Sequence, residues 1–245
     1  TIATSADGAY SVYAADIDND GDMDVLSASV IDDKIAWYES DGAADPSFTA
    51  VNIATSVDGA VSVYAADIDN DGDMDILSAS TSDDKIAWYE NGLSAFGDPT
   101  FGSATITTSA DAANTVYAVD IDSDGDMDVL SASSNDDKIA WYENDGAADP
   151  SFTAQTITTS ADMPTHVYAA DIDNDGDMDV LSSSYSDDKI AWYENDGAAD
   201  PSFTANTIAT SADGAYSVYA ADIDNDGDMD VLSASVIDDK IAWYE

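Results

Sequence analysis

The sequence has no cysteine, no arginine, five lysines and a single histidine. Without cysteine there are no disulfide staples and no thiolate chemistry. Five cations against 52 acids leave a formal charge of −47. A chain that acidic repels phosphate backbones and anionic lipid, so nucleic-acid binding is excluded as a function class. No apolar run is long enough to cross a bilayer, so membrane insertion is not expected. No segment carries a convincing helical period. The sequence opens at Thr1 without methionine or a signal segment and reads as a mature or trimmed segment.

What is present in excess is aspartate, and it is spaced. The run Asp-Ile-Asp-(Asn/Ser)-Asp-Gly-Asp-Met-Asp occurs five times, beginning at Asp16, Asp67, Asp120, Asp171 and Asp222. Each copy supplies five aspartates: Asp16, Asp18, Asp20, Asp22 and Asp24 in the first; Asp67, Asp69, Asp71, Asp73 and Asp75 in the second. The others are Asp120, Asp122, Asp124, Asp126 and Asp128; Asp171, Asp173, Asp175, Asp177 and Asp179; and Asp222, Asp224, Asp226, Asp228 and Asp230. Alternating acids in a tight loop offer a hard cation several oxygens at once, from side chains at positions 1, 3, 5 and 9 and from the main-chain carbonyl at position 7. The glycine at position 6 permits the turn. Such a set suits Ca²⁺ better than Mg²⁺, which demands a stricter octahedron and keeps its waters. One ion per copy makes five Ca²⁺. An EF-hand is excluded, because its twelfth position needs a bidentate Glu and Ser27, Ser78, Ser131, Ser182 and Ser233 stand there.

The copies are 51, 53, 51 and 51 residues apart, the two extra residues falling in Asn91–Ser103. One repeat reads as four short strands: Ser11–Ala15, Asp24–Ser29, Lys34–Glu39 and Phe48–Thr55. Their β-branched and aromatic content, with turn signals every ~8–12 residues, favours strands. Four strands repeated every ~50 residues is the arithmetic of a propeller blade. The expected fold is all-β, a five-bladed β-propeller with four antiparallel strands per blade in one domain, 1–245. Blades are expected at about 6–55, 56–108, 109–159, 160–210 and 211–245, the last completed by the N-terminal strand at 1–5, which closes the ring. Thr1–Glu39 and Thr207–Glu245 are identical at all 39 positions. Recent amplification, design, or excision from a longer array would each produce that.

Val-Tyr-Ala-Ala-Asp-Ile-Asp-Asn-Asp-Gly-Asp-Met-Asp-Val-Leu-Ser-Ala-Ser, followed by Lys-Ile-Ala-Trp-Tyr-Glu, resembles the FG-GAP/VCBS repeats, the blades of integrin-α-like calcium-binding propellers. The resemblance covers essentially the whole chain. It implies calcium in the five loops, a secreted or cell-surface setting, and kinship with binding and adhesion modules. Those propellers usually have seven blades.

Several other residues stand out. Trp37, Trp88, Trp141, Trp192 and Trp243, each followed by Tyr38, Tyr89, Tyr142, Tyr193 or Tyr244, form either inter-blade core or a repeated sugar-stacking platform. Core is favoured for Trp; the tyrosines keep a hydroxyl that can meet water, and they remain candidate ligand contacts. Tyr10 and Tyr216 occupy a loop that varies between repeats and are further candidates. His166, in the same loop of the fourth repeat, is a ligand contact or simple drift. Lys34, Lys85, Lys138, Lys189 and Lys240 each follow two aspartates and are expected to form local ion pairs.

No catalytic constellation breaks the repeat, so no catalytic residues are assigned. The expected function is a non-catalytic, calcium-stabilised, extracellular or cell-surface binding and adhesion module, for carbohydrate in lectin-like fashion or for a surface protein. The acid surplus suits a salty, even marine, setting. A repeat scaffold with no ligand is the alternative, and a secreted polysaccharide-active enzyme a distant one.

Overall fold

A computed structural model of the chain describes residues 1–93 and 99–245. Residues 94–98, inside the segment that carries the two extra residues of the second repeat, lie outside the described part. All regular structure among the described residues is β.

Strands form where β-branched and aromatic residues recur between polar turns. First strands run Ala9–Ala15, Ala60–Ala66, Ala113–Val119, Pro164–Ala170 and Ala215–Ala221. Second strands are Asp24–Ser29, Asp75–Ser80, Asp128–Ser133, Asp179–Ser184 and Asp230–Ser235. Third strands are Lys34–Ser40, Lys85–Tyr89, Lys138–Asn144, Lys189–Asn195 and Lys240–Tyr244. Fourth strands are Phe48–Ala54, Ala104–Thr107, Phe152–Thr158 and Phe203–Ala209. A small hairpin of Asn91–Leu93 and Pro99–Phe101 extends the second blade. Blades 1 to 4 are simple antiparallel meanders, first strand to fourth. In blade 1, Tyr13 faces Leu26 and Leu26 faces Trp37 across the sheet.

The blades stack face to face, as a propeller requires. First strands pack on one another in chain order, so they line the axis. Tyr13, Tyr64, Tyr117, Tyr168 and Tyr219 stand along it, successive ring centroids 4.6 to 5.2 Å apart. Four apolar clusters fill the four joints. The first sets Ile17, Leu26, Ile35 and Trp37 of blade 1 against Val57, Ala60, Val63 and Ala65 of blade 2. The fourth sets Leu181 and Ile190 of blade 4 against Ala212, Ala215, Val218 and Ala220 of blade 5.

The expected closure of the ring is not what the structure shows. Thr1–Ser5 form no strand, and the fifth sheet has three strands, ending at Lys240–Tyr244. The tyrosine series runs from Tyr13 to Tyr219 without returning to its start. Val12 and Ile241, on the outer faces of blades 1 and 5, are 70% and 84% exposed where their twins Val218 and Ile35 are buried, so these two blades do not pack on each other. The molecule is an open arc whose two end faces lack neighbours.

Candidate metal centre and axial cavity

The five aspartate loops link first to second strands and lie on one face of the arc. The Asp-Gly-Ala-Ala-Asp-Pro-Ser loops share that face: a Cβ on Gly42 would collide with the Asp22 carboxylate, and one on Gly146 with Asp126. Each loop is wound by its own side chains. In the first, Asp16 accepts hydrogen bonds from the backbone N–H groups of Asp20 (3.1 Å) and Gly21 (3.0 Å), and Asp20 accepts from Asp22 (2.9 Å). The same bonds recur in the other four loops. Glycine at position 6 sits at φ 95 to 102°, which only glycine adopts without strain. Position 4 is left-handed as well (φ 57 to 63°), which explains Asn there in four loops, since Asn tolerates that region.

Winding brings carboxylates together. Oxygens of Asp16, Asp18 and Asp24 lie within 4.8 Å of one another, as do those of Asp120, Asp122 and Asp128, of Asp171, Asp173 and Asp179, and of Asp222, Asp224 and Asp230. In the second loop Asp67, Asp69 and Asp71 converge in the same way. The crowding shows in the acidities. Asp18 is pushed up to about 6, first by burial and then by repulsion from Asp20 and Asp24. Asp75 and Asp128 are pushed up to about 7 by burial, although each accepts two backbone N–H bonds. Asp69, Asp122, Asp173 and Asp224 move the same way, with neighbouring aspartates contributing after desolvation. No lysine relieves this. Lys34 bonds Asp32 at 2.6 Å and the Ser5 carbonyl at 2.9 Å, in the turn at the opposite end of its strand. Lys189 pairs with Asp187, and the other lysines repeat the arrangement. A hard dication would supply the missing positive charge, and the all-oxygen donor set fits one. These clusters can hold metal ions.

The aspartates do not contribute alike. Position 9 is buried and does double duty: Asp24 accepts from Ile17 N–H (3.2 Å) and Ser40 N–H (2.8 Å), tying the loop to the end of the third strand. Position 7 reaches sideways. Asp73, Asp126 and Asp228 accept from Asn19, Asn70 and Asn174 of the preceding loop at 2.7 to 3.0 Å. Those side chains join loop to loop, leaving position 7 its carbonyl for a cation. Sequence reasoning missed Asn91, Asn144 and Asn195. These buried side chains donate at 2.8 to 2.9 Å to the Ile17, Ile68 and Ile121 carbonyls of the preceding loop, and again at 3.0 Å within their own. The signal was available: Asn follows Trp-Tyr-Glu in blades 2 to 4, a polar residue recurring at one register just past the buried aromatic pair.

The tyrosines after tryptophan, candidate ligand contacts by sequence, lie inside the joints instead. Tyr38, Tyr89, Tyr142 and Tyr193 are buried, and their hydroxyls meet Ser27, Ser78, Ser131 and Ser182 at 3.2 to 3.4 Å. Tyr244 makes the same bond to Ser233 and is half-buried only because no blade covers it. A side chain packed inside the joint with its hydroxyl engaged does not meet a ligand. Trp37, Trp88 and Trp141 are core as well.

Tyr10, Tyr216 and His166, far apart in sequence, come together at the other mouth of the axis. They line a cavity of about 460 Å³ to which all five blades contribute. In a chain with 52 acids, no acid lines it. Hydroxyls and amides of Asn114, Thr115 and Thr165 ring the wall and bond from blade to blade at 2.8 to 3.1 Å. Burial pushes His166 down to about 4, against hydrogen bonding with the Val218 backbone, so the imidazole is neutral at pH 7. Its Nδ1 has no partner. Met163, also on the wall, holds a left-handed backbone (φ 52°) where blades 1, 2 and 5 have Gly8, Gly59 and Gly214. Strain of this kind gathers at binding sites.

A sequence profile described as FG-GAP-like repeat matches residues 16–78, 68–131, 120–182 and 173–233. The chain belongs to the FG-GAP-like repeat family. No curated protein sequence matches this FG-GAP-like chain. Among solved structures, an Agrocybe aegerita lectin described as recognising non-reducing terminal N-acetylglucosamine aligns with TM-score 0.61 at 16% identity, over 92% of this chain and 60% of the lectin. BBS1N, solved in complex with ARL6DN, aligns with TM-score 0.57 at 13% identity, over 98% of this chain and 69% of the other. A luciferin-regenerating enzyme aligns with TM-score 0.53 at 14% identity, over 95% and 73%. The FG-GAP-like chain spans about three fifths of the lectin's length. At these identities the likeness is one of fold, the β-propeller, which serves binding proteins and an enzyme alike.

Proposed function

We propose that this FG-GAP-like arc is a calcium-stabilised, non-catalytic binding module that works outside the cell and takes a neutral glycan in its axial cavity. Two features support the reading, one for each face. On the loop face, five wound clusters of hard oxygens without a counter-cation suit Ca²⁺, and extracellular calcium is abundant enough to fill even weak loops. The ion offsets carboxylate repulsion and ties first strand to second in every blade, so binding energy becomes folding energy. The position-1, -3, -5 and -9 carboxylates and the position-7 carbonyl are the proposed ligands. Five divalent ions leave a formal charge of −37, still suited to a salty medium.

On the axial face, the observation that carries the ligand class is the uncharged wall. Tyr10 and Tyr216 offer ring faces for stacking, the ring of Ser, Thr and Asn side chains offers hydroxyl and amide partners, and the His166 imidazole adds an uncharged wall. Sugars present that alternation of apolar face and hydroxyl edge. Sulfated or uronic glycans would be repelled by the rest of the molecule. A surface-protein ligand is the second form of the same module, through a protruding neutral side chain in the same cavity.

The test is a broad glycan array read in calcium, followed by calorimetry on the hits. Neutral sugars are expected to bind, with Tyr216→Ala and His166→Ser each about 10-fold or more weaker and equally well folded. A folded, calcium-loaded protein silent on the whole array, or binding unchanged in both variants, would remove the assignment.

A further inference from the structure

We infer that blade 4 makes the axial cavity selective: the site takes one glycan per chain and seats the methyl group of a deoxyhexose against Met163 and Tyr185. The inference rests on the neutral-glycan reading and names the kind of sugar. It starts from where the five blades differ. Every residue that lines the cavity comes from one of four registers of the blade. From blade 1 to blade 5 the Met163 register reads Gly, Gly, Ala, Met, Gly, and the Thr165 register Tyr, Val, Asn, Thr, Tyr. The His166 register reads Ser, Ser, Thr, His, Ser, and the Tyr185 register Val, Thr, Ser, Tyr, Val. From Gly8 to Glu39 and through the matching stretches, one other register, that of Ser186, takes as many as three residue types.

Exposure alone does not explain this. Asp7, Asp58, Asp111, Asp162 and Asp213 are exposed in the loop before the first strand and never change. The third-strand run Lys-Ile-Ala-Trp-Tyr-Glu is the same in all five blades, and the aspartate loop changes only at Ser123. Differences gathered around one cavity give it unlike walls. Its occupant therefore sits in one orientation, and each blade meets a different part of it.

Blade 4 brings the bulk. Met163 is exposed and Tyr185 half-buried, and the Tyr185 N–H donates to the Met163 carbonyl at 2.9 Å, which sets the two residues side by side. Room is made for them. In blades 1 and 5 a side chain on Gly8 or Gly214 would meet Ile31 or Ile237 at 2.7 Å, whereas blade 4 has Ser186 at that place. Blade 3 braces the segment: Asn114 Nδ2 donates to the Pro164 carbonyl at 3.1 Å and Thr115 Oγ1 to the Thr165 carbonyl at 2.8 Å. Blade 3 thus positions the wall and blade 4 reads the ligand. A thioether beside an aromatic ring is an adaptable apolar surface. Against it a sugar hydroxyl gives up water without gaining a partner, and a methyl group does not.

The test is a glycan array read in calcium. On it, oligosaccharides ending in L-rhamnose or L-fucose stand beside the same oligosaccharides ending in L-mannose or L-galactose, which carry a hydroxymethyl group in place of the methyl. Calorimetry on the strongest pair follows. The deoxyhexose is expected to bind about 10-fold or more tighter than its partner, at one site per chain. Met163→Gly and Tyr185→Thr install residues that other blades carry, so the fold is kept. Each is expected to bring the pair within about 3-fold by weakening the deoxyhexose. Hits without that preference, a preference unchanged in both variants, or several equivalent sites per chain would overturn the inference and leave the neutral-glycan reading standing. A folded, calcium-loaded protein silent on the whole array would overturn both.

Discussion

Ile35 and Ile241 hold the same place in two identical stretches of sequence, yet one is fully buried and the other 84% exposed. Val12 and Val218 differ the opposite way, at 70% and 1%. First-to-second and second-to-third strand pairing are the same in both blades; blade 5 lacks the fourth strand that pairs Ile35 with Ala54, and the neighbouring blades differ. Burial here belongs to the joint between blades, not to the blade. That is the energetic logic of a repeat protein, in which each unit buries its faces only against the next.

The sharpest way to break this comparison is one substitution made twice. Ile35→Ala should cost about 2–5 kcal/mol, as expected for a fully buried Ile. Ile241→Ala in dilute protein should stay within about 0.5 kcal/mol. Denaturant midpoints of the two variants would show it, and equal losses would mean that blade 5 is covered in solution.

Next comes the polar part of the joint. Blade 1 has Ser40 where the next three blades have Asn91, Asn144 and Asn195. Asn144→Ser gives blade 3 the blade 1 residue and strands the Ile68 and Met127 carbonyls. A loss of about 2 kcal/mol is expected, read from the thermal midpoint.

Smaller effects come from making blade 4 resemble blade 5. His166 stands where blade 5 has Ser217. Its native pKa, about 4, lies below the ordinary 6.5. Between those values the unfolded chain binds a proton that the native chain refuses. The His166 contribution is therefore complete above pH 6.5 and is lost as pH falls toward 4. At pH 5, His166→Ser should be more stable than wild type by about 1–2 kcal/mol beyond any difference at pH 7. Parallel melts at the two pH values measure it, and a pH-independent difference would mean that the imidazole is not buried. Last, Met163→Gly supplies the Gly214 equivalent at φ 52° and should raise stability by about 1 kcal/mol, or about 2–4 °C of melting temperature, by removing left-handed strain. No gain would show that Met163 packing offsets the strain.

The loops and the strand order were legible because both depend on local spacing. Position 6 glycine, the alternating aspartates and the second strand Asp24–Ser29 fall where the sequence places them. Ring closure was not legible, since whether blade 1 meets blade 5 depends on side-chain packing between blades and not on any local spacing in the sequence. Tyr38 and its equivalents misled for a related reason. Both faces of a middle blade are covered, so Trp88 and Tyr89 are buried side by side and the alternation that marks an outward residue vanishes. Tyr10, Tyr216 and His166 were visible only as irregularities; that they meet in one acid-free cavity required the fold.

The most direct test of the account is scanning calorimetry in millimolar calcium and again in excess chelator. Each loop occupied at about 100 times its dissociation constant adds about 2.7 kcal/mol, so emptying all five should lower the melting temperature by tens of degrees. Coincident melts in calcium and chelator would contradict the claim that cations in the aspartate loops hold this propeller together.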